Sequence, residues 1–237
     1  PRPTVLPRLW VHAASVGETL VIAPMIERVL KEQPERSVLI TSTTPTGADQ
    51  VRRLFGDQVE QAWAPFDTPG AVRRFLSHWR PGAVILVETE VWPHIILQSQ
   101  RAGIPTLLLN ARLSDRSARA YARVASLSTP VLSALTHVCC QQPSDAQRFE
   151  ALGVSDQQLS VSGNLKFDIA LEPLILQREV LERELNLTGA RSLWVAASTH
   201  AGEEQAVLKE DVEVRKRVPG VLLILAPRHP ERAASIE

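Results

Sequence analysis

The stretch Leu9-Trp10-Val11-His12-Ala13-Ala14-Ser15-Val16-Gly17-Glu18 decides the fold class of this chain. Its first half is an apolar run typical of a buried strand, and a long segment with helical periodicity follows at once. The turn between the two carries a carboxylate, Glu18. In open α/β sheets ligands bind beyond the carboxyl ends of the strands, so this position predicts that Glu18 faces a substrate cleft.

Glu18 also has a purely structural interpretation. Ser15 and Glu18 have the spacing of a capping box, in which the serine accepts a bond from a helix amide and the glutamate reaches back to the cap. Capping boxes are common at helix starts, and the spacing by itself favours capping over catalysis. Both interpretations stay open at this point.

Short apolar runs alternate with helical patterns along the chain, which predicts βαβ units and a parallel sheet covered on both faces. The predicted strands are 9–14, 37–42, 59–64, 83–88, 106–110, 137–141 and 158–163. The predicted helices lie near 18–33, 46–55, 69–79, 92–102, 116–135 and 144–152. We therefore expect a Rossmann-like α/β domain over residues 1–168.

A second α/β pattern begins after a connector. It consists of a charged helix around 175–186, a strand from Leu193, a helix at 202–217 and a strand at 221–225. Two strands and one helix cannot cover both faces of a parallel sheet. We expect residues 169–237 to be the start of a second Rossmann-like domain whose remainder is missing.

The composition excludes several classes of function. The 237 residues include 26 basic and 26 acidic side chains, so the balance does not favour nucleic acid as a partner. No apolar stretch reaches the roughly 18 residues that a membrane-spanning helix needs.

The adjacent Cys139 and Cys140 are predicted to be reduced core thiols. The six histidines lack metal-ligand spacing, and dinucleotide, P-loop and serine-hydrolase motifs are absent.

Further polar residues follow predicted strands. One of Glu88 and Glu90 should face the same crevice as Glu18, and the sequence does not tell which; the alternative is that both stabilise a helix start. Lys166 lies at the crossing into the second domain, where it could reach a phosphate or a developing negative charge. Its alternative role is as a partner for Asp168.

The second domain has a similar set. Pro227-Arg228 closes a strand, and the arginine could bind a phosphate where a helix begins. Ser198-Thr199 offers hydroxyls and amides at another helix start, which suits an anion or a simple cap.

Four arginines, Arg112, Arg116, Arg119 and Arg123, have a spacing that would place them on one face of a helix over 112–123. Most such rows are solvated faces. The sharper interpretation is an anionic acceptor, such as a phosphorylated lipid head group.

Taken in order, these motifs resemble the 3-deoxy-D-manno-octulosonic acid (Kdo) transferases of lipopolysaccharide synthesis. Several blocks in the correct order are more specific than any one of them. The matching blocks are His12–Leu20, Thr43–Gly47, Glu88–Pro93, Asn110–Ser114, Gly163–Asp168, Ser198–Glu204 and Pro227–Arg232.

The resemblance implies a GT-B glycosyltransferase with two Rossmann-like domains facing a cleft. Such an enzyme moves Kdo from CMP-Kdo to the phosphorylated lipid A precursor with inversion, and it needs no cofactor or metal besides the donor. Carried over by residue, the resemblance implies that Glu18 is the catalytic base and that Glu88 and Lys166 stabilise the transition state. It also implies that Pro227 and Arg228 belong to the CMP site.

The chain departs from the family pattern at both ends. Family members carry an N-terminal membrane anchor and a later segment that completes the nucleotide site, and neither is in this sequence. The resemblance implies that the protein acts at the cytoplasmic face of the bacterial inner membrane, through an anchor absent from the chain. It also implies that these residues alone bind CMP weakly. Two alternatives stay open: a GT-B enzyme acting on a UDP-sugar, such as an epimerase, and a non-catalytic module that binds a nucleotide or a membrane surface.

Overall fold

A computed structural model of the chain describes residues 7–168, 180–184, 187 and 192–236. The chain divides into two compact units, Pro1–Ile169 and Ala170–Glu237. The domain boundary expected from the sequence, between residues 168 and 169, lies one residue from this division.

The N-terminal unit is built on a seven-stranded sheet in which every neighbouring pair is parallel. Its order is β3-β2-β1-β4-β5-β6-β7. The strands are β1 Arg8–His12, β2 Val38–Ser42, β3 Glu60–Trp63, β4 Pro81–Val87, β5 Thr106–Ala111, β6 His137–Cys140 and β7 Leu159–Val161. The α/β class and the parallel sheet predicted from the sequence are confirmed, with strand ends shifted by at most two residues.

Seven α-helices connect the strands, and four of them begin with proline. Proline suits the first helical position because that amide has no partner within the helix. The helices are α1 Val16–Glu32, α2 Pro45–Phe55, α3 Pro69–Trp79, α4 Pro93–Arg101, α5 Asp115–Arg123, α6 Ala125–Ser133 and α7 Pro143–Ala151. Short 3-10 turns occur at Gly56–Gln58, Asp156–Gln158 and Leu165–Phe167.

The predicted single helix over 116–135 is wrong, because the chain forms two helices there. Val124 separates α5 from α6 with a non-helical backbone (φ −120°, ψ 37°). The hydroxyl of Ser128 donates to the carbonyl oxygens of Tyr121 at 2.8 Å and Val124 at 3.3 Å. The amide of Val124 also donates to the Tyr121 oxygen, and the amide of Ser128 donates to the Val124 oxygen. The hydroxyl therefore adds a further bond to each of these oxygens across the break.

The predicted helical face of four arginines is also wrong. Ser114 caps α5 by accepting a bond from the amide of Ser117 at 3.1 Å, so the helix begins only at Asp115. Arg112 precedes this cap and lies in the loop after β5. The helix carries the other three arginines.

The strands alternate between two hydrophobic clusters, one on each face of the sheet. Val11 of β1 packs with residues of α1 and α2, whereas Trp10 packs with residues of α3, α4, α6 and α7. This alternation follows from the period of two along a strand. Fully burying one such apolar side chain stabilises the fold by about 1.5–3 kcal/mol.

The central strands β1 and β4 form the switch point of the sheet. The chain leaves β1 toward β2 and β3 on one side, and it leaves β4 toward β5, β6 and β7 on the other. The loops that follow β1 and β4 therefore diverge, and a ligand crevice is expected at their carboxyl ends.

The C-terminal unit contains two parallel strands, β8 Leu193–Thr199 and β9 Leu222–Pro227, joined by helix α8 Glu203–Arg217. Trp194 donates through its indole Nε1 to Asp211 of α8 at 3.0 Å, which fastens the helix to the strand. Residues 180–184 are helical, and the rest of the helix predicted over 175–186 lies outside the described residues. A 3-10 turn, Pro230–Ser235, follows β9.

Two threonines directly before α2 hold the turn between β1 and α1 in place through hydrogen bonds. The carbonyl oxygen of Ala14 accepts bonds from the amide of Thr43 at 3.3 Å, from its hydroxyl at 3.0 Å and from the hydroxyl of Thr44 at 3.3 Å. Gly47 lies against this junction. A Cβ there would come within 2.9 Å of Thr44 Oγ1 and 3.3 Å of the Ala14 oxygen.

We predict that Gly47→Ala destabilises the N-terminal unit by about 1–3 kcal/mol, because the added methyl must push against this junction. The measurement is urea denaturation followed by circular dichroism. Gly70→Ala is the matched control, since it occupies the first turn of α3 and its Cβ would meet only the end of the Arg74 side chain at 3.5 Å. Equal stability of the two variants would contradict the tight junction.

Candidate functional site

Glu18 lies in the first turn of α1, just beyond the carboxyl end of β1, and its carboxylate is held by two bonds. It accepts from the amide of Ala14 at 2.7 Å and from the hydroxyl of Ser15 at 3.0 Å. Ser15 in turn accepts from the amide of Glu18 at 3.4 Å. The serine half of the capping interpretation is confirmed. The carboxylate, however, binds the Ala14 amide instead of the amide of the cap residue.

The surroundings of Glu18 make it more basic than a surface glutamate. Burial raises the pKa of this half-buried carboxyl above its ordinary value of 4.5, and the negative charge of Glu90 raises it further. The Ala14 and Ser15 bonds and the charge of His12 act in the opposite direction without cancelling the rise. Such a group is a stronger proton acceptor once it is ionised.

Glu90 ends a chain of polar contacts that runs through the sheet. Trp10 donates through its indole Nε1 to Thr41 Oγ1 at 2.9 Å, and the same hydroxyl lies 3.0 Å from Nδ1 of the fully buried His12. His12 Nε2 lies 3.6 Å from Glu90 Oε2, which also accepts from the indole of Trp92 at 2.6 Å. The contact with His12, followed by that with Trp92, keeps the pKa of Glu90 below its ordinary value despite burial.

Glu88 and Asn110 hold unusual backbone conformations at the ends of neighbouring strands. Both are left-handed, with φ of 56° and 54°. This conformation costs Glu88 about 1–3 kcal/mol, whereas asparagine adopts it more readily. The buried Asn110 donates through Nδ2 to Glu88 Oε1 at 3.4 Å and accepts from the amide of Leu165 at 3.1 Å. Lys166 Nζ lies 3.6 Å from Glu88 Oε1.

Glu88, not Glu90, lines the cavity beside these strands. The cavity has a volume of about 520 Å³, and Arg112, Tyr121, Gln141 and Arg148 are among its other lining residues. Glu90 instead contacts His12 and Trp92.

The predicted site residues of the N-terminal unit fall into two adjacent groups. Glu18 interacts electrostatically with Glu90. Glu88 lies beside Lys166 and lines the cavity with Arg112. The turn Leu165–Phe167 lies against α1, the helix that carries Glu18. Arg116, predicted to bind the acceptor, is exposed on α5 and does not line this cavity.

In the C-terminal unit, the four predicted residues come together at the carboxyl ends of β8 and β9. The amide of Arg228 donates to the carbonyl oxygen of Thr199 at 3.0 Å, and Ser198 is left-handed with φ of 60°. The guanidinium of Arg228 is exposed and has no ion pair among the described residues. It is therefore available to an anion.

Nearby in the same unit, Glu204 at the start of α8 forms a bidentate pair with Arg232, at 2.8 and 3.2 Å. This contact holds the pKa of Glu204 below its ordinary value. Arg232 is thus engaged by the protein itself, in contrast to Arg228.

Three further findings concern the described residues. They contain no group of three or more His, Cys, Asp or Glu side chains that could hold a metal ion. Within 7–168, 180–184, 187 and 192–236, no helix combines the length and apolar character that crossing a bilayer requires. Cys139 and Cys140 are free, as predicted, and burial raises the pKa of the Cys140 thiol to about 12.

A parallel Rossmann-like sheet with charged side chains gathered at its switch point defines a class of α/β ligand-binding folds, to which the GT-B fold belongs. The chain resembles UDP-GlcNAc 2-epimerase from Neisseria meningitidis (TM-score 0.68, 15% identity, 92% of this chain and 64% of that one). It also resembles MurG from Acinetobacter baumannii (TM-score 0.52, 13% identity, 98% and 69%). At these identities the likeness concerns the fold alone, and the GT-B-like fold predicted from the sequence is confirmed.

The family itself is shown by sequence. The family model described as 3-Deoxy-D-manno-octulosonic-acid transferase (kdotransferase) matches residues 1–169, and the chain belongs to this family. It is 35% identical to the 3-deoxy-D-manno-octulosonic acid transferase of Haemophilus influenzae over 94% of this chain and 52% of the relative. With the protein of the same name from Bordetella pertussis it shares 36% identity over 98% and 54%. The chain thus spans about half the length of these relatives.

Proposed function

We propose that the chain is part of a glycosyltransferase that moves Kdo from CMP-Kdo to the lipid A precursor, with inversion at the anomeric carbon and Glu18 as the base. The observation that carries the proposal is the half-buried Glu18 at the carboxyl end of β1, whose pKa is raised by burial, in a chain of the Kdo transferase family. A base placed there can meet a substrate in the crevice at the switch point.

In the proposed step Glu18 accepts the proton of an acceptor hydroxyl while the hydroxyl oxygen attacks the anomeric carbon of Kdo. The bond from that carbon to the acceptor oxygen forms, the bond to the phosphate oxygen breaks, and CMP leaves with the electron pair. Attack from the side opposite the leaving group inverts the anomeric centre. A carboxylate is a weak base toward an alcohol, so positioning and charge stabilisation must supply much of the acceleration.

The other predicted residues fit the charges that this step develops. Glu88 offers a negative charge that stabilises the positive charge developing on the anomeric carbon. Lys166 can turn to bind a negatively charged group of the substrate, because its pair with Glu88 is long at 3.6 Å and its side chain is more than half exposed. For the leaving CMP we propose the exposed Arg228 together with Pro227, Ser198 and Thr199.

The acceptor side of the proposal rests on the arginines of the N-terminal unit. Arg112 lines the cavity that holds Glu88, and Arg116 is exposed on the neighbouring helix α5. Guanidinium groups suit the phosphates of a lipid A precursor. We also propose that the whole protein works at the cytoplasmic face of the bacterial inner membrane and that it uses no cofactor or metal apart from the donor.

We predict that Glu18→Gln in the whole transferase lowers kcat for Kdo transfer by roughly 10²–10⁴-fold, because the amide cannot accept the proton. The measurement is transfer from CMP-Kdo to lipid A precursor at saturating substrate, with the melting temperature as a check on folding. Glu27→Gln, at an exposed position of the same helix, is the matched control and keeps full activity. A folded Glu18→Gln enzyme with undiminished turnover would return Glu18 to a capping role alone.

The charge of Glu90 should appear in the pH dependence of transfer. Glu18 must be ionised to act, so kcat/KM rises with pH through the pKa of Glu18 in the free enzyme, and the raised pKa places this acidic limb above pH 4.5. Glu90→Gln removes a negative charge that raises this pKa, so we predict that the limb moves to lower pH. A limb that stays in place or moves upward in this variant would contradict the coupling.

Nucleotide preference separates the donor proposal from a UDP-sugar enzyme that shares the fold of the Neisseria epimerase. A ligand that binds only the native state raises the melting temperature by mass action. We predict that CMP protects the whole protein and that UDP at the same concentration does not. Arg228→Ala should weaken the protection by CMP. Protection by UDP alone would overturn the donor assignment.

A further inference from the structure

An apolar groove lies beside the polar cavity of the N-terminal unit. It has a volume of about 380 Å³, within the roughly 300–1,000 Å³ typical of small-molecule sites, and it runs between α4, α5 and α6. The residues that give it this character include Val91, Leu97, Tyr121, Val124, Leu127 and Val131.

The groove opens where α5 and α6 are separated. Val124, the residue at the break, is 47% exposed, and Leu127 in the first turn of α6 is 72% exposed. The hydroxyl of Ser128 spans the break by donating to the carbonyl oxygens of Tyr121 and Val124. Two large apolar side chains are thus exposed to solvent at the mouth of an apolar groove, an arrangement typical of a binding surface.

The surface beside the groove is positively charged and unpaired. Arg116, Arg119 and Arg123 lie three and four residues apart on α5, so they share one exposed face of the helix. None of them, nor Arg112 in the preceding loop, forms an ion pair within the described residues. Arg148, by contrast, is paired with Asp115 at 2.6 Å. A charged row without internal partners favours an anionic ligand.

The groove and the polar cavity are adjacent. Val91 and Tyr121 line both, and the cavity also contains Glu88 and Arg112. One molecule with a polar, phosphorylated head and a hydrocarbon tail could therefore fill the two together. A molecule that is polar throughout would leave the groove empty.

We propose that this groove holds one acyl chain of the phosphorylated lipid acceptor while its head group occupies the adjoining cavity and its phosphates meet the arginines. The proposal rests on the proposed function, since it assigns part of the acceptor site of the same enzyme. The acyl chain contacts Val124 and Leu127 at the mouth of the groove and the buried apolar residues behind them. Selectivity for acylated over deacylated acceptors follows from the apolar area that the chain buries.

The test compares two acceptors with the whole transferase in solution, without detergent or vesicles. One is a lipid A precursor analogue with acyl chains short enough to keep it monomeric, and the other is its fully deacylated, still phosphorylated counterpart. The variant is the double substitution Val124→Gln/Leu127→Gln. It leaves the net charge unchanged and replaces only exposed side chains, so we expect the fold to be preserved. The matched control is Leu208→Gln/Val212→Gln on α8, at positions 41% and 55% exposed.

We predict that the groove variant raises KM for the acylated acceptor by roughly tenfold, the loss expected when a few methylene contacts are removed. Its kcat, its KM for the deacylated acceptor and all constants of the α8 control stay unchanged. An equal rise in KM for both acceptors, or no rise for either, would overturn the groove assignment. A second assay presents the acylated acceptor in vesicles. A rise in KM there, with none for the monomeric acceptor, would assign Val124 and Leu127 to contact with the membrane surface and would also overturn the groove assignment.

Failure of the proposed function gives a different result. In that case the unsubstituted enzyme transfers Kdo to neither acceptor, and both proposals fall together. If the unsubstituted enzyme transfers Kdo to both acceptors with the same KM, only the acyl-chain assignment fails.

Discussion

The parallel pairing of β1 with β4 in the middle of the sheet determines where this protein can bind a ligand. Because the chain continues to opposite sides from these two strands, their carboxyl ends carry diverging loops with a crevice between them. Glu18 follows one strand, and Glu88 and Glu90 follow the other. Neither the cavity nor the groove beside it would have these charged neighbours if the two strands were separated in the sheet.

Capping and catalysis by Glu18 are compatible. The carboxylate accepts one bond from the amide of Ala14 and one from the hydroxyl of Ser15, and a carboxylate has about four lone-pair positions. Capacity therefore remains for an acceptor hydroxyl. The bonds from Thr43 and Thr44 to the Ala14 carbonyl fix the same peptide from the other side. A base held in this way loses little conformational freedom when the substrate arrives, and this preorganisation favours the reaction.

The fold could be predicted because both of its signals are local. Apolar runs such as Val84-Ile85-Leu86-Val87 identify buried strands, and their alternation with helical patterns identifies a parallel sheet. The break at Val124 was not predictable, since no glycine or proline lies beside it to mark the end of a helix. Sequence reasoning also assigned no role to Asn110, whose left-handed backbone and bonds to Glu88 and Leu165 depend on residues 22 and 55 positions away. Its only signal was an asparagine at the end of a predicted strand, a residue type that tolerates positive φ.

The most direct test of Glu18 as the base is a structure of the whole transferase with CMP and a lipid A precursor bound. We predict that the accepting hydroxyl lies about 2.6–3.2 Å from the carboxylate of Glu18, within hydrogen-bond reach of a general base. We also expect a phosphate of the acceptor to contact Arg112 and CMP to contact Arg228. An acceptor hydroxyl bound away from the ends of β1 and β4, with Glu18 bonded only to Ala14 and Ser15, would show that Glu18 is not the base.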